Sequence, residues 1–249
     1  DESGTVTSFR NTGMIATGVT PASDVALEGR AIAVDLSANT SGVHFVQDGV
    51  VEAGTKLPDA DGDGVPDVKE PRISGELLFG AGADVVDVRN GTINGDINFG
   101  GGADKLNISG GAVVTGKLSS ADGLLDIDIS KGTLDARHTG QLNVSGLDIG
   151  ADGGLIVTLD PSNSTSGGFR VNGAANVATG ADLGVRFNSL IQGPTRFTII
   201  DADTLNVGTL DPDALQANSP YAFVVKAGAD VAAGDIYVDA RRRTAEEAG

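Results

Sequence analysis

The sequence predicts an all-β chain: a parallel β-helix, that is a solenoid, closed by a β-rich C-terminal cap. Three observations predict it. First, a unit of about twenty residues recurs between Arg72 and Gly132, and a unit of that length buries its apolar face only by stacking on its neighbours. Second, the apolar residues within each copy are mostly two apart, the period of a strand with one buried face. Third, the composition suits strands joined by tight turns, with 37 glycines, no cysteine, no tryptophan and many Val, Ile, Thr, Asn and Asp residues.

The copies run RISGELLFGAGADVVDVRNG (Arg72 to Gly91), TINGDINFGGGADKLNISGG (Thr92 to Gly111) and AVVTGKLSSADGLLDIDISKG (Ala112 to Gly132), the third being looser and one residue longer. Their alignment predicts four aliphatic columns. These are Ile73, Ile93 and Val113; Leu77, Ile97 and Leu118; Val86, Leu106 and Leu125; and Val88, Ile108 and Ile127. Phe79 and Phe99 align as well, with Leu118 as the substitute if the third copy slips. Glu76, Asp96 and Lys117 are expected to point outward, and Gly91, Gly111 and Gly132 to close the copies at turns.

Upstream, residues 1–57 read as shorter coils of the same kind. Ile32 and Val34 alternate with Ala33 and Asp35, a polar turn follows, and Val43, Phe45 and Gln47 continue beyond it. Residues 58–71, PDADGDGVPDVKEP, break this texture and read as an inserted acidic loop. Residues 72–189 carry the regular coils and later ones with excursions, at Asp135–Gly140 and at the polar loop Pro161–Gly168; Leu155, Val157 and Leu159 mark another strand. Residues 190–240 hold the most hydrophobic strands, Arg196 to Asp201 and Tyr221 to Lys226, with a third around Ile236 and Val238. Phe187, Phe197 and Phe223 are large enough to close the open end of a stack. Residues 241–249 switch to helix formers and read as the start of a linker helix.

The net charge of −17 argues against nucleic-acid binding, which needs a basic face, and against docking on anionic lipid. Lack of cysteine excludes disulfides and thiol chemistry, and fits a protein that crosses an oxidising compartment unfolded. No apolar run approaches the ~18 residues of a membrane span. No signal peptide is visible, which suits a cytosolic chain or the mature part of an exported one.

The segment GRAIAVDLSANTSGV (residues 29–43), the coils GAGADVVDV and GGGADKLNI, and the cap followed by Arg241-Arg242-Arg243-Thr244-Ala245 together resemble the passenger region of autotransporters. These are Gram-negative proteins secreted by the type V route, through their own outer-membrane barrel. The resemblance covers residues 10–245 by pattern. It implies a right-handed β-helix, an autochaperone-like junction at 190–240, and a cell-surface or extracellular location. It also implies a partner barrel, which would follow this sequence and is not part of it.

One motif carries chemistry. Asp59, Asp61 and Asp63, then Gly64, Val65, Asp67 and Glu70, fill the pattern D-x-[DN]-x-[DN]-G-x5-E. Carboxylates at alternate positions converge on a hard cation, and Gly64 permits the sharp turn. Val65 offers a carbonyl, Asp67 the position often bridged by water, and Glu70 a bidentate carboxylate. The cofactor expected is Ca2+. The motif lacks flanking helices, and Pro66 makes it similar to the calcium loops of thrombospondin type 3 repeats.

Gly-Ala-Asp recurs at 82–84, 102–104, 150–152, 180–182 and 228–230, with a near copy at 120–122. Calcium β-rolls repeat every nine residues, whereas these coils repeat every twenty or so. Their aspartates, Asp84 and Asp104, are therefore expected to satisfy backbone N–H groups at corners. His44 and His138 have no nucleophile motif beside them, and no catalytic signature is present, so no enzyme activity is expected. The expected function is a calcium-binding structural or adhesive stalk, meeting a host surface or polysaccharide. Two alternatives are a secreted polysaccharide lyase or hydrolase and a self-associating biofilm protein.

Overall fold

The computed structural model describes residues 2–18, 30–51, 54, 56–162 and 166–248. Gly29 and residues 163–165 of the expected Pro161–Gly168 excursion lie outside these. The chain is all-β, 51% strand and 5% helix.

Strands distant in sequence pair in parallel, one repeat against the next. The strands Ser8–Asn11, His44–Gln47, Val85–Val88, Lys105–Ile108, Asp126–Ala136 and Gly146–Leu159 form one ladder in that order. Its inward column is Phe9, Phe45, Val86, Leu106, Ile127 and Leu147. A second ladder joins Met14–Ala16, Arg72–Ser74, Thr92–Asn94 and Ala112–Gly116 to the C-terminal halves of the two long strands, and then to Asp182–Phe187. Its column is Ile15, Ile73, Ile93, Val114, Leu134, Leu155 and Leu183. The third ladder is a separate four-stranded sheet of Ile32–Asp35, Glu76–Leu78, Ile97–Asn98 and Leu118–Ser119, with Val34, Leu77, Ile97 and Leu118 in register.

The columns face one continuous apolar core that runs from Val34 to Ala240. From Phe45 to Leu147 every member of the first column is fully buried. Each such side chain contributes about 1.5–3 kcal/mol of transfer free energy, which is what holds rungs of so few residues together. Phe79 and Phe99 stack one rung apart, with ring centroids 5.8 Å from each other.

Three of the expected columns are corrected. Ile93 pairs with Val114 rather than Val113, Leu106 with Ile127 rather than Leu125, and Ile108 with Ile129 rather than Ile127. For Val113 the cause is where the extra residue falls. Val88 is in register with Ile108, but Ile93 is in register with Val114, so the insertion lies between Ile108 and Val114. There Gly110 and Gly111 both take positive φ, 59° and 81°. A slip of two keeps a residue on its face, which is why Leu125 is still buried; a slip of one does not, and Val113 is only half-buried. Leu118 keeps its place beside Ile97. The excursion expected from Asp135 begins later, because Asp135 and Ala136 belong to a strand.

The pairing changes from parallel to antiparallel at the C-terminus. Thr195–Val207 pairs in parallel with Ser166–Val177 and antiparallel with Asp235–Arg242, which in turn pairs antiparallel with Phe223–Asp230. Phe187 lies between Phe197 and Phe223, at 5.8 and 4.7 Å between centroids. Arg196 forms two 2.7 Å bonds to Asp239 and lies 3.7 Å over the Tyr237 ring. A short helix, Pro212–Ala217, is held by the Asp211 carboxylate, which accepts from the N–H groups of Asp213 and Ala214, and by fully buried Leu215. A last short helix spans Ala245–Ala248. Among the described residues, no helix is long and apolar enough to cross a membrane.

Candidate metal centre

The acidic loop leaves the first ladder after His44–Gln47 and enters the second at Arg72–Ser74. Its base is closed by the Asp67 N–H, which donates to the Pro58 carbonyl at 3.0 Å, and by one 3-10 turn, Asp67–Lys69. Gly62 and Gly64 take positive φ, 73° and 89°, and fold the backbone N–H groups inward. The Asp59 carboxylate accepts from Gly62, Asp63 and Gly64 at 2.8, 3.2 and 3.0 Å. Asp63 accepts from the Val65 N–H at 2.7 Å. These bonds hold the Asp59 and Asp63 carboxylates in place along the turn.

As a result Asp59, Asp61 and Asp63 each offer an oxygen within 4.8 Å of the others, a cluster able to hold a metal ion. Asp67 and Glu70, the other carboxylates of the motif, are not part of this cluster. Asp67 accepts from the Ala60 N–H at 2.9 Å. The Glu70 carboxyl is pushed up by burial and then by the charges of Asp61, Asp67 and Asp63. Asp63 is likewise pushed up, first by burial, against the Val65 N–H and with Asp61 and Asp59 adding repulsion. Carboxylates that raise one another in this way gain from a shared cation.

Val65, expected as a carbonyl donor, also anchors the loop: it is 2% exposed, and a Cβ on Gly49 would come within 2.6 Å of its methyl groups. Two further contacts have no local sequence signal, because stacking alone creates them. Gly111 lies so close that a Cβ there would be 2.1 Å from Asp61 Oδ2, and Lys131 Nζ donates to the Asp61 carbonyl at 3.2 Å. The extra residue of the repeat therefore falls where the loop rests on the rungs.

The Gly-Ala-Asp corners behave as expected at two sites. Asp84 accepts from the Val43 N–H at 2.7 Å, and Asp104 from the Asp84 N–H at 2.9 Å. The near copy follows suit, with Asp122 accepting from the Gly102 N–H at 2.7 Å. The other copies do not share this position: 150–152 lies within the strand Gly146–Leu159, and 228–230 within the antiparallel strand Phe223–Asp230. Both histidines have structural partners. His44 Nε2 meets Asp87 at 2.9 Å, and His138 Nε2 meets the Gly168 carbonyl at 2.9 Å, where burial lowers its pKa.

On the outer face of the third ladder a groove of about 220 Å³ is lined by Arg30, Glu76, Asp96, Asn98, Lys117 and His138, among others. Arg30 pairs with Glu76, and the Asp96 carboxylate accepts from the Lys117 N–H at 2.8 Å. The chain matches no family model, and no curated protein or solved structure matches it either.

Proposed function

We propose that the chain is a right-handed parallel β-helical stalk, an autotransporter passenger exposed at the bacterial surface, that binds Ca2+ in the loop from Asp59 to Glu70. The observation that carries the calcium reading is the convergence of Asp59, Asp61 and Asp63 within a loop already held by its own N–H groups. Oxygen-only ligands on a turn with flexible further donors suit a calcium ion better than the strict octahedron of Mg2+. Val65 would add its carbonyl, Asp67 a water-mediated contact and Glu70 a bidentate one. Three parallel ladders, each gaining one strand per repeat, support the solenoid, and the antiparallel aromatic end supports a capping junction ahead of a membrane barrel. Outside the cell, where free Ca2+ is abundant, the loop would be filled; in the cytosol it would not.

Isothermal titration tests the site. Ca2+ should bind the intact chain, and the Asp61→Ala, Asp63→Ala double variant should show no binding heat while keeping its strand signal in circular dichroism. Absence of heat from the intact chain would falsify the calcium reading.

A second reading has its own support. Glu76, Asp96, Lys117 and His138 line one groove, and acidic, basic and imidazole groups are the residue types a polysaccharide lyase or hydrolase uses. Incubation with acidic polysaccharides would then release new reducing ends, and Lys117→Ala would abolish them. Release of none would overturn this second reading.

A further inference from the structure

Asp84 and Asp104 are unlike every acid of the loop. Both are 0% exposed, and each has one oxygen bound to a backbone N–H and another, Oδ2, that meets neither solvent nor a donor. They stand one rung apart, since the Asp84 N–H donates to the Asp104 carboxylate. Neighbouring backbones approach each other closely at this corner. A Cβ on Gly42 would lie 2.1 Å from the Ala83 carbonyl, and one on Gly82 would lie 2.2 Å from the Ser41 carbonyl carbon.

The charged neighbours do not compensate. From the next rung Asp122 faces Asp104, and it is an anion engaged with the Gly102 N–H. His44 and Lys105, which follow Val43 and Asp104 in sequence, turn to Asp87 and Asp126 instead. A buried carboxylate without a cation favours its neutral form.

We propose that Asp84 and Asp104 form a proton-operated latch in the corner column: with protons on, the rungs through Val43, Asp84 and Asp104 close on one another, and with protons off, two buried anions loosen that corner. The direction follows from linkage. Burial raises both carboxyls, Asp104 from 3.8 to about 6. The folded chain then holds more protons than the unfolded one between those values. The stabilisation is complete below the unfolded value and is lost as pH rises through the folded one.

The test is thermal unfolding of the full chain in excess EDTA, so that the acidic loop stays metal-free, from about pH 4.5 to about pH 7.5. The wild-type midpoint should fall across this range. Asp104→Asn keeps an acceptor for the Asp84 N–H and removes the charge. It should melt above wild type at the upper end and lose part of the slope. Parallel profiles for the two proteins would overturn the latch. If the variant does not fold, carboxyl-carbon NMR of the wild type decides: an Asp104 midpoint near 6 supports the latch, and an ordinary carboxylate midpoint overturns it.

Discussion

Asp59, Asp61 and Asp63 lie two apart on one loop, whereas Asp84 and Asp104 lie 20 apart on neighbouring rungs. The residue type and the neighbouring glycines are the same in both places, and the surroundings are opposite. The loop acids are half-buried, are fed by several N–H groups and converge to within 4.8 Å. The corner acids are fully buried, and each receives a single N–H. Spacing along the chain decides the difference. Alternate residues on a turn aim carboxylates at a common point in reach of solvent, which a divalent cation can enter. Residues one repeat apart place them in a column inside the stack, out of reach of solvent. On the two proposals above, one set would respond to calcium and the other to acid.

Two glycine substitutions separate the regions. Gly100 leads into the corner with φ 69°, and a Cβ there would lie 1.8 Å from the Gly80 carbonyl, which is backbone and cannot step aside. Gly100→Ala should cost about 3 kcal/mol, from the left-handed backbone and the overlap together, and should leave calcium affinity unchanged once the protein is folded. Gly111, with φ 81°, would press its new methyl on Asp61 Oδ2, the end of a mobile side chain. Gly111→Ala should cost less, about 1–2 kcal/mol, yet displace a loop carboxylate and weaken calcium binding. Urea unfolding and calorimetry on both variants check this. Equal loss of affinity in the two would mean that the loop and the corner are not separate devices.

The columns are legible in the sequence because alternation inside a strand and recurrence between rungs select the same residues, as with Leu77, Ile97 and Leu118. The register of the third copy is not, because its extra residue is a glycine between two elements. Gly110 and Gly111 look like any turn, and only pairing shows that the insertion precedes Val114 rather than following it. The helix Pro212–Ala217 carries a readable signal, Asp211 as cap and Pro212 at the first helical position, which the surrounding strand pattern obscures. In the loop, the alternate aspartates are visible from spacing alone. Lys131 and Gly111 beneath them are not, since they meet Asp61 across 70 and 50 residues of chain through stacking. Burial of Asp84 and Asp104 is hidden for the same reason: no property of Gly-Ala-Asp distinguishes the inward corner at 82–84 from the copy in the antiparallel strand at 228–230.

The smaller expected effect is the sharpest comparison, because the two regions should answer pH with opposite signs when calcium is present. In the metal-free loop Asp63 and Glu70 are raised above their ordinary values, so protons occupy them at higher pH than usual and compete with the cation. Calcium at about ten times its Kd adds about 1.4 kcal/mol to stability near neutral pH. That increment should shrink as pH falls through the raised values of the loop acids. Over the same interval the corner acids take up protons and the metal-free protein gains stability. The corner acids raise both curves alike, so the gap between the melting curves with calcium and with EDTA should narrow on acidification as protons displace the cation. Curves that stay a constant distance apart would show that calcium and protons do not compete, and would place the cation away from Asp63 and Glu70.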